Sequence, residues 1–209
     1  MRLRHKNWTA GYIDLNKNYF IVDKYKNNFN NEQPINLEIG CGKGNFIKGK
    51  AIKVVNENWI GMEKESTVIG VALRNVIENE MDIKNILFIN KYAENLLDIF
   101  EKKSISKIFL NFSDPWPKSK HAKKRLTNIK FLENYWEVLT DDGSIEIKTD
   151  NDKLYEYSLE QIEESKFNIV YKTTNLHNDP KEMEHNVMTE YEKRFSETGK
   201  NINKIIITK

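Results

Sequence analysis

The chain has 209 residues, and 33 Lys and Arg stand against 31 Asp and Glu for a formal net charge of +2. That length suits one medium domain, 1–209, with a core that needs no staple. The near-balance excludes an all-over polycation, and the single cysteine, Cys41, excludes an internal disulfide framework and a multi-thiolate zinc site.

A lone cysteine fits a reducing, cytoplasmic compartment. No apolar stretch is long enough to cross a bilayer, and the basic start (Arg2, Arg4, Lys6) has no apolar segment behind it, so neither a membrane span nor a secretory signal is expected. Residues 1–14 read as a flexible basic segment. His5, His121, His177 and His185 are scattered without ligand spacing, so no metal is expected. The heavy use of Asn, Ile and Lys reads as background bias.

In chain order, Ile35–Gly40 is strand-like, 45–55 helical, and Trp59–Met62 a second strand. Val68, Val71, Ala72 and Val76 share a helical face. Ile86–Ile89 is a strand, 93–100 a helix, and Ile108–Asn111 a buried strand. Phe131, Leu132, Tyr135, Trp136 and Leu139 fall at helical spacing, and Asp141-Asp142-Gly143 turns the chain into the strand 144–148. Tyr155, Leu159 and Ile162 mark a helix, and 167–171 and Lys204–Thr208 are closing strands. This β–α alternation predicts an α/β fold, a three-layer Rossmann-like arrangement with a mostly parallel sheet and an antiparallel edge strand near the C-terminus. In such folds ligands bind beyond the carboxyl ends of the strands.

The first strand runs into Glu38-Ile39-Gly40-Cys41-Gly42-Lys43-Gly44-Asn45. A dinucleotide fingerprint needs a small residue where Asn45 stands. A carboxylate at Glu38 is a poor neighbour for pyrophosphate but suits a cationic or ammonium-bearing ligand such as S-adenosylmethionine. The second strand ends at Glu63, where an acid can accept both ribose hydroxyls of an adenosine. Together these signals resemble the class I methyltransferase fold, with Glu38, Gly40, Gly42, Gly44 and Glu63 where that superfamily binds S-adenosylmethionine. Cys41 reads as a small residue packed beside the loop rather than a reactive thiol, because no His or second Cys accompanies it.

After the fourth strand, Asn111-Phe112-Ser113-Asp114-Pro115-Trp116-Pro117-Lys118 is stiffened by two prolines. Asp114 could cap a proline bend, but an Asp beside an exposed Trp and a cofactor loop points to chemistry. Lys118, Lys120, His121, Lys123, Lys124 and Arg125 follow without an intervening acid, a patch suited to nucleic-acid phosphates.

These residues, with Lys148-Thr149-Asp150-Asn151 and Met188-Thr189-Glu190-Tyr191-Glu192 followed by Lys193-Arg194-Phe195, resemble the bacterial tRNA (guanine-N7-)-methyltransferases over nearly the whole chain. The resemblance implies methyl transfer from S-adenosylmethionine to N7 of a variable-loop guanosine in tRNA, by a monomer or homodimer. It implies cofactor contacts at Glu38, Glu63 and Asp114, with Asp114 also catalytic, and substrate contacts at Lys118, Asp150, Thr189, Glu190, Tyr191 and Glu192. Lys120, His121, Lys123, Lys124 and Arg125 would meet RNA phosphates, with Arg2, Arg4 and Lys6. Tyr92 stands where many relatives have an acid near the adenine, which leaves that contact to Asn90, Tyr92, Glu94 or backbone amides.

Plainer readings stand beside these. Asp150 is a candidate N-cap for the next helix, and Thr189 with Glu192 fits a capping box. Two other functions compete: a class I methyltransferase with a different acceptor, which an RNA-free assay would reveal, and a non-catalytic tRNA-binding module, which the Tyr92 departure favours. A nicotinamide oxidoreductase ranks behind both, because Asn45 and Glu38 spoil the phosphate site.

Overall fold

The computed structural model describes residues 6–209; Arg2, Arg4 and His5 lie outside the described residues. Two compact units make up the chain, one reaching to Ala93 and one from Glu94 to Lys209.

The first unit carries three parallel strands, β1 (Ile35–Ile39), β2 (Asn58–Met62) and β3 (Ile86–Ile89), with β2 in the middle. Leu37 pairs with Ile60, and Ile60 with Leu87. All of β2 and β3 is buried. That explains their unbroken apolar sequences, since parallel strands are covered on both faces. Helices α2 (Asn45–Lys53) and α3 (Ser66–Ile77) follow β1 and β2. Ile69, Gly70 and Leu73 are buried in α3 along with the four residues of the expected face, so the buried face is wider than one stripe.

Asparagine does structural work here. The Asn85 amide donates to the carbonyls of Ala51, Val54 and Glu57 at 3.1, 3.2 and 2.9 Å, closing the loop between α2 and β2. Asn36 donates to Glu57 at 2.7 Å, and Asn58 to Asn31 at 2.7 Å.

A helix the sequence did not announce, α1 (Trp8–Leu15), packs on α3. Thr9 and Gly11 are weak helix formers, so tertiary packing rather than propensity holds α1. Thr9 is buried over Gly70, and the Arg74 guanidinium lies 4.1 Å from the Trp8 ring centre.

In the second unit the order is β4 (Ile105–Asn111), β5 (Leu139–Thr149), β7 (Asn203–Thr208) and β6 (Asn168–Thr173). β4 and β5 are parallel, and β7 is antiparallel to both β5 and β6, between which it lies. The helices are α4 (Ile129–Val138), α5 (Asp152–Glu163), α6 (Pro180–His185) and α7 (Glu190–Glu197).

Two local expectations change. Asp141-Asp142-Gly143 is not a turn between elements. Ile105 pairs with Leu139 but Lys107 with Ser144, so these residues are extra length inside β5, a bulge. Glycine is required there, because a Cβ on Gly143 would lie 2.9 Å from the Thr140 carbonyl. The expected helix over 93–100 shrinks to a 3-10 turn at Leu96–Asp98. Asn134 of α4 grips it, accepting from Leu96 N–H at 3.2 Å and donating to the Glu94 carbonyl at 2.9 Å.

The tightest junction of the first unit yields a prediction. A Cβ on Gly70 would lie 2.7 Å from Thr9 Cβ. Gly70→Ala should therefore push α1 off α3 at a cost of about 1–3 kcal/mol. The thermal midpoint should fall, and protease cleavage near Leu15 should quicken.

Candidate active site

Gly40, Gly42 and Gly44 have φ of 78°, 55° and 77°, all in the left-handed region that favours glycine. Between β1 and α2 the loop is pinned from β2: Gly40 N–H and Cys41 N–H donate to the Met62 carbonyl at 2.8 and 3.0 Å. A Cβ on Gly44 would lie 3.0 Å from Ala72 Cβ, so this glycine lets the loop close on α3. Gly40 and Gly42 differ, since a Cβ on either would meet nothing within 4 Å. Their backbone faces open space.

Two carboxylates flank the loop. Glu38 is buried, only 2% exposed, at the end of β1. Glu63, just after β2, accepts from Gly42 N–H at 3.2 Å and from Glu65 N–H at 3.0 Å. A carboxylate has about four lone-pair sites, so capacity remains for a ligand. Cys41 is no nucleophile: its thiol packs on β2, 3.0 Å from where a Gly61 Cβ would sit, and burial, then Glu38 and Glu63, push its pKa well up.

Beyond β3, Asn90 donates to the carbonyls of Glu63 and Lys64 at 2.8 and 3.1 Å. Its amide group is thus a clip between loops rather than a free donor. Tyr92 is 64% exposed, with Lys64 Nζ 5.8 Å from its ring centre. Glu94, the first residue of the second unit, is exposed.

In the second unit the Asp-Pro-Trp-Pro loop leaves β4 through Phe112, at φ 51°, and passes Trp116, at φ 40°. Bulky residues rarely adopt such angles, and they persist only where the surroundings impose them. At Trp116 the imposing group is Arg125. Its Nε donates to the Pro115 carbonyl and its Nη2 to the Trp116 carbonyl, both at 3.0 Å, while its guanidinium stacks 4.2 Å from the Tyr157 ring centre. Arg125 therefore clamps the loop, a task for a planar fork.

His121 meets Trp116 edge-on at 5.5 Å, and Lys124 Nζ lies 4.8 Å from that ring's centre. Lys118, Lys120 and Lys123 project into solvent, as does Asp114. The basic run thus divides into a clamp, His121 and the exposed Lys124 against Trp116, and three further exposed lysines.

At the end of β5 the helix cap is Asn151, not Asp150: its side chain accepts from Leu154 N–H at 2.9 Å. The half-exposed Asp150 carboxylate accepts no hydrogen bond within the described residues. Thr189 caps α7, accepting from Glu192 N–H at 2.9 Å. The other half of the expected capping box is absent, because the Glu192 side chain goes elsewhere.

Glu192 is fully buried. Its Oε2 lies 2.6 Å from Lys148 Nζ, and its Oε1 is 2.6 Å from Asn186 Nδ2 and 3.1 Å from His177 Nε2. Lys148 Nζ also donates to Asn186 Oδ1 at 3.0 Å and to the Val187 carbonyl at 3.1 Å; burial pulls its pKa below the usual lysine value, and the Glu192 carboxylate opposes that shift. Burial alone would raise the Glu192 carboxyl, but Lys148 and the two other donors outweigh it and hold the pKa low. Glu192 is therefore a buried hub that ties α7 to β5, not an exposed substrate ligand. Lys148, His177 and Asn186 were not legible as its partners, since they are scattered in sequence and meet only on folding.

The hub can be tested in two ways. Lys148→Met leaves a buried carboxylate without its cation and should cost about 3–5 kcal/mol in denaturant unfolding. The second test is acid. A carboxyl held below its ordinary 4.5 adds stability that is present above that value and lost as pH falls through the folded pKa. Glu192→Gln should start from a lower midpoint and lose less between about pH 5 and about pH 3 than the wild type.

A family model described as "Putative methyltransferase" matches residues 32–205. The tRNA (guanine-N(7)-)-methyltransferase of Mesoplasma florum is 48% identical, covering 100% of this chain and 99% of the relative. The protein of the same name from Mycoplasma capricolum is 47% identical, covering 99% of this chain and 98% of the relative.

Among solved structures, the 16S rRNA methyltransferase KamB superposes with a TM-score of 0.62 at 10% identity, covering 98% of this chain and 94% of that one. An antibiotic-related methyltransferase gives 0.61 at 15% identity, over 99% and 95%. These two share the fold. The chain belongs to the tRNA (guanine-N7-)-methyltransferase family.

Proposed function

We propose that the chain methylates N7 of a guanosine in the variable loop of tRNA, with S-adenosylmethionine as donor. The observation that carries this reading is the full-length kinship to enzymes of that name. The glycine loop supports it. Its backbone is open at Gly40 and Gly42, where a side chain would fill the cradle, and carboxylates stand on either side. That fits a cofactor with a ribose, an amine and a cationic sulfur better than a pyrophosphate.

Glu63 would hold the ribose hydroxyls, Glu38 would lie on the cationic side, and the exposed Tyr92 ring offers an apolar face to the adenine. When bound, S-adenosylmethionine supplies a methyl group already activated by its positive sulfur. N7 of guanine carries an in-plane lone pair and needs no general base. Asp150 and Asp114 accordingly serve as acceptors for the N1–H and N2–H edge of the base and as negative charge beside a ring that becomes positive. Lys118, Lys120 and Lys123 hold phosphates. Reaching N7 in folded tRNA requires local opening of the base from its tertiary stack, at a cost of a few kcal/mol.

The test is methyl transfer from labelled S-adenosylmethionine to unmodified tRNA, with the modified nucleoside identified after digestion. 7-Methylguanosine in the variable loop is expected, and loss of product in Asp114→Ala and Asp150→Ala but not in Cys41→Ser. Full activity in Asp114→Ala would sink its assignment. Transfer to another acceptor without RNA would replace the reading altogether.

Affinity for tRNA should fall steeply with salt. Lys120→Ala and Lys123→Ala should each reduce the slope of log affinity against log salt by about one. Arg125→Lys should leave that slope unchanged and slow turnover, because it loosens the loop rather than removing a phosphate contact.

A further inference from the structure

Three aromatic rings converge where β4 and α7 meet. Phe112–Tyr191, Phe112–Phe195 and Tyr191–Phe195 all have centroid separations of 6.4 Å, with planes inclined by 20°, 19° and 22°. Equal separations exclude a column, in which the outer pair would lie far beyond the inner ones. The three rings instead stand at the corners of a triangle with nearly parallel planes, an aromatic cluster that can serve as a floor. Tyr191 is 54% exposed, so the floor reaches solvent.

The cluster is tied to segments that carry residues assigned above to the acceptor base. Phe112 N–H donates to the Lys148 carbonyl at 2.8 Å, two positions before Asp150. Tyr191 lies between Glu190 and Glu192, in the turn that Thr189 caps and the Lys148–Glu192 pair fixes. A packing role alone does not explain the arrangement. Phe112 takes a left-handed φ of 51°, a conformation that bulky residues rarely adopt, and Tyr191 stays half in water.

We propose that Phe112, Tyr191 and Phe195 form the stacking surface for the guanine that is methylated, and that their π faces stabilise the positive charge the base acquires. This rests on the methyltransferase reading above. In the reaction N7 gains a bond to the methyl carbon as the carbon–sulfur bond breaks, and that bond's electron pair stays on sulfur. The ring takes up the positive charge that sulfur loses, and no proton moves. An aromatic face attracts a cationic ring more strongly than a neutral one. The floor therefore grips the transition state more tightly than the bound substrate, which is the condition for raising the rate rather than only the affinity.

The experiment compares wild type, Phe195→Leu, Tyr191→Leu and Phe195→Tyr in single-turnover methylation of unmodified tRNA at saturating enzyme. The equilibrium Kd for tRNA and for S-adenosylmethionine is measured on the same samples. The leucine variants keep apolar bulk but lose the π face. They should lose about two- to thirtyfold in rate, the range set by a cation–π contact from exposed to desolvated. Their Kd for tRNA should change less than their rate, and their Kd for S-adenosylmethionine should stay at the wild-type value. Phe195→Tyr should recover the rate lost in Phe195→Leu.

Leucine variants with wild-type rates would overturn the inference and leave the methyltransferase reading intact. So would a rate loss matched by an equal loss of tRNA affinity, or one that Phe195→Tyr fails to recover. A wild-type chain that binds tRNA but yields no 7-methylguanosine would overturn the reading beneath it, and this inference with it.

Discussion

The second unit depends on one buried ion pair. Lys148 at the end of β5 and Glu192 in the first turn of α7 lie 2.6 Å apart with almost no exposure. Burying two charges is expensive, and the geometry compensates only when the remaining donors and acceptors are satisfied. Here they are: Asn186, His177 and the Val187 carbonyl complete both shells. The short α7 would be marginal as an isolated helix. Anchored in this way, it holds Thr189 as its cap and sets Tyr191 against Phe112 and Phe195.

A second constraint of the same kind acts on the loop after β4. Arg125 binds the carbonyls of Pro115 and Trp116 and stacks on Tyr157, so residues far apart in sequence jointly set one loop conformation. Transfer to a nitrogen that already has a lone pair asks for little acid–base chemistry and much positioning. Rigid supports behind modest surface residues match that demand. The most buried charges in this unit serve geometry, whereas Asp114, Lys118, Lys120 and Lys123 are exposed and Asp150 is half-exposed.

At the glycine loop of the first unit the division of labour is simpler. Three glycines take backbone angles that other residues resist, but for different reasons. Gly44 allows close packing on α3, whereas Gly40 and Gly42 leave an open backbone surface. Glu63 does two jobs, bracing the loop through Gly42 while retaining acceptor capacity. The buried thiol of Cys41 is filler between β1 and β2.

The amino-acid sequence alone determined the seven strands and the helices α2 to α5, the glycine loop with its flanking acids, the Asp-Pro-Trp-Pro loop, and the family. These are local: apolar runs, glycine spacing and contiguous motifs are carried by neighbouring residues. Tertiary structure decided what depends on residues far apart in the chain. It turned Asp141–Gly143 into a bulge, because β4 offers fewer partners than β5 has residues. It made a helix of Trp8–Leu15, because α3 offers Thr9 a notch at Gly70. It moved the helix cap from Asp150 to Asn151, which left Asp150 available. It drew Glu192 inward to Lys148, and it set Phe112 beside Tyr191 and Phe195. A side chain's role follows from which partner reaches it first in space, and motif spacing along the chain does not carry that information.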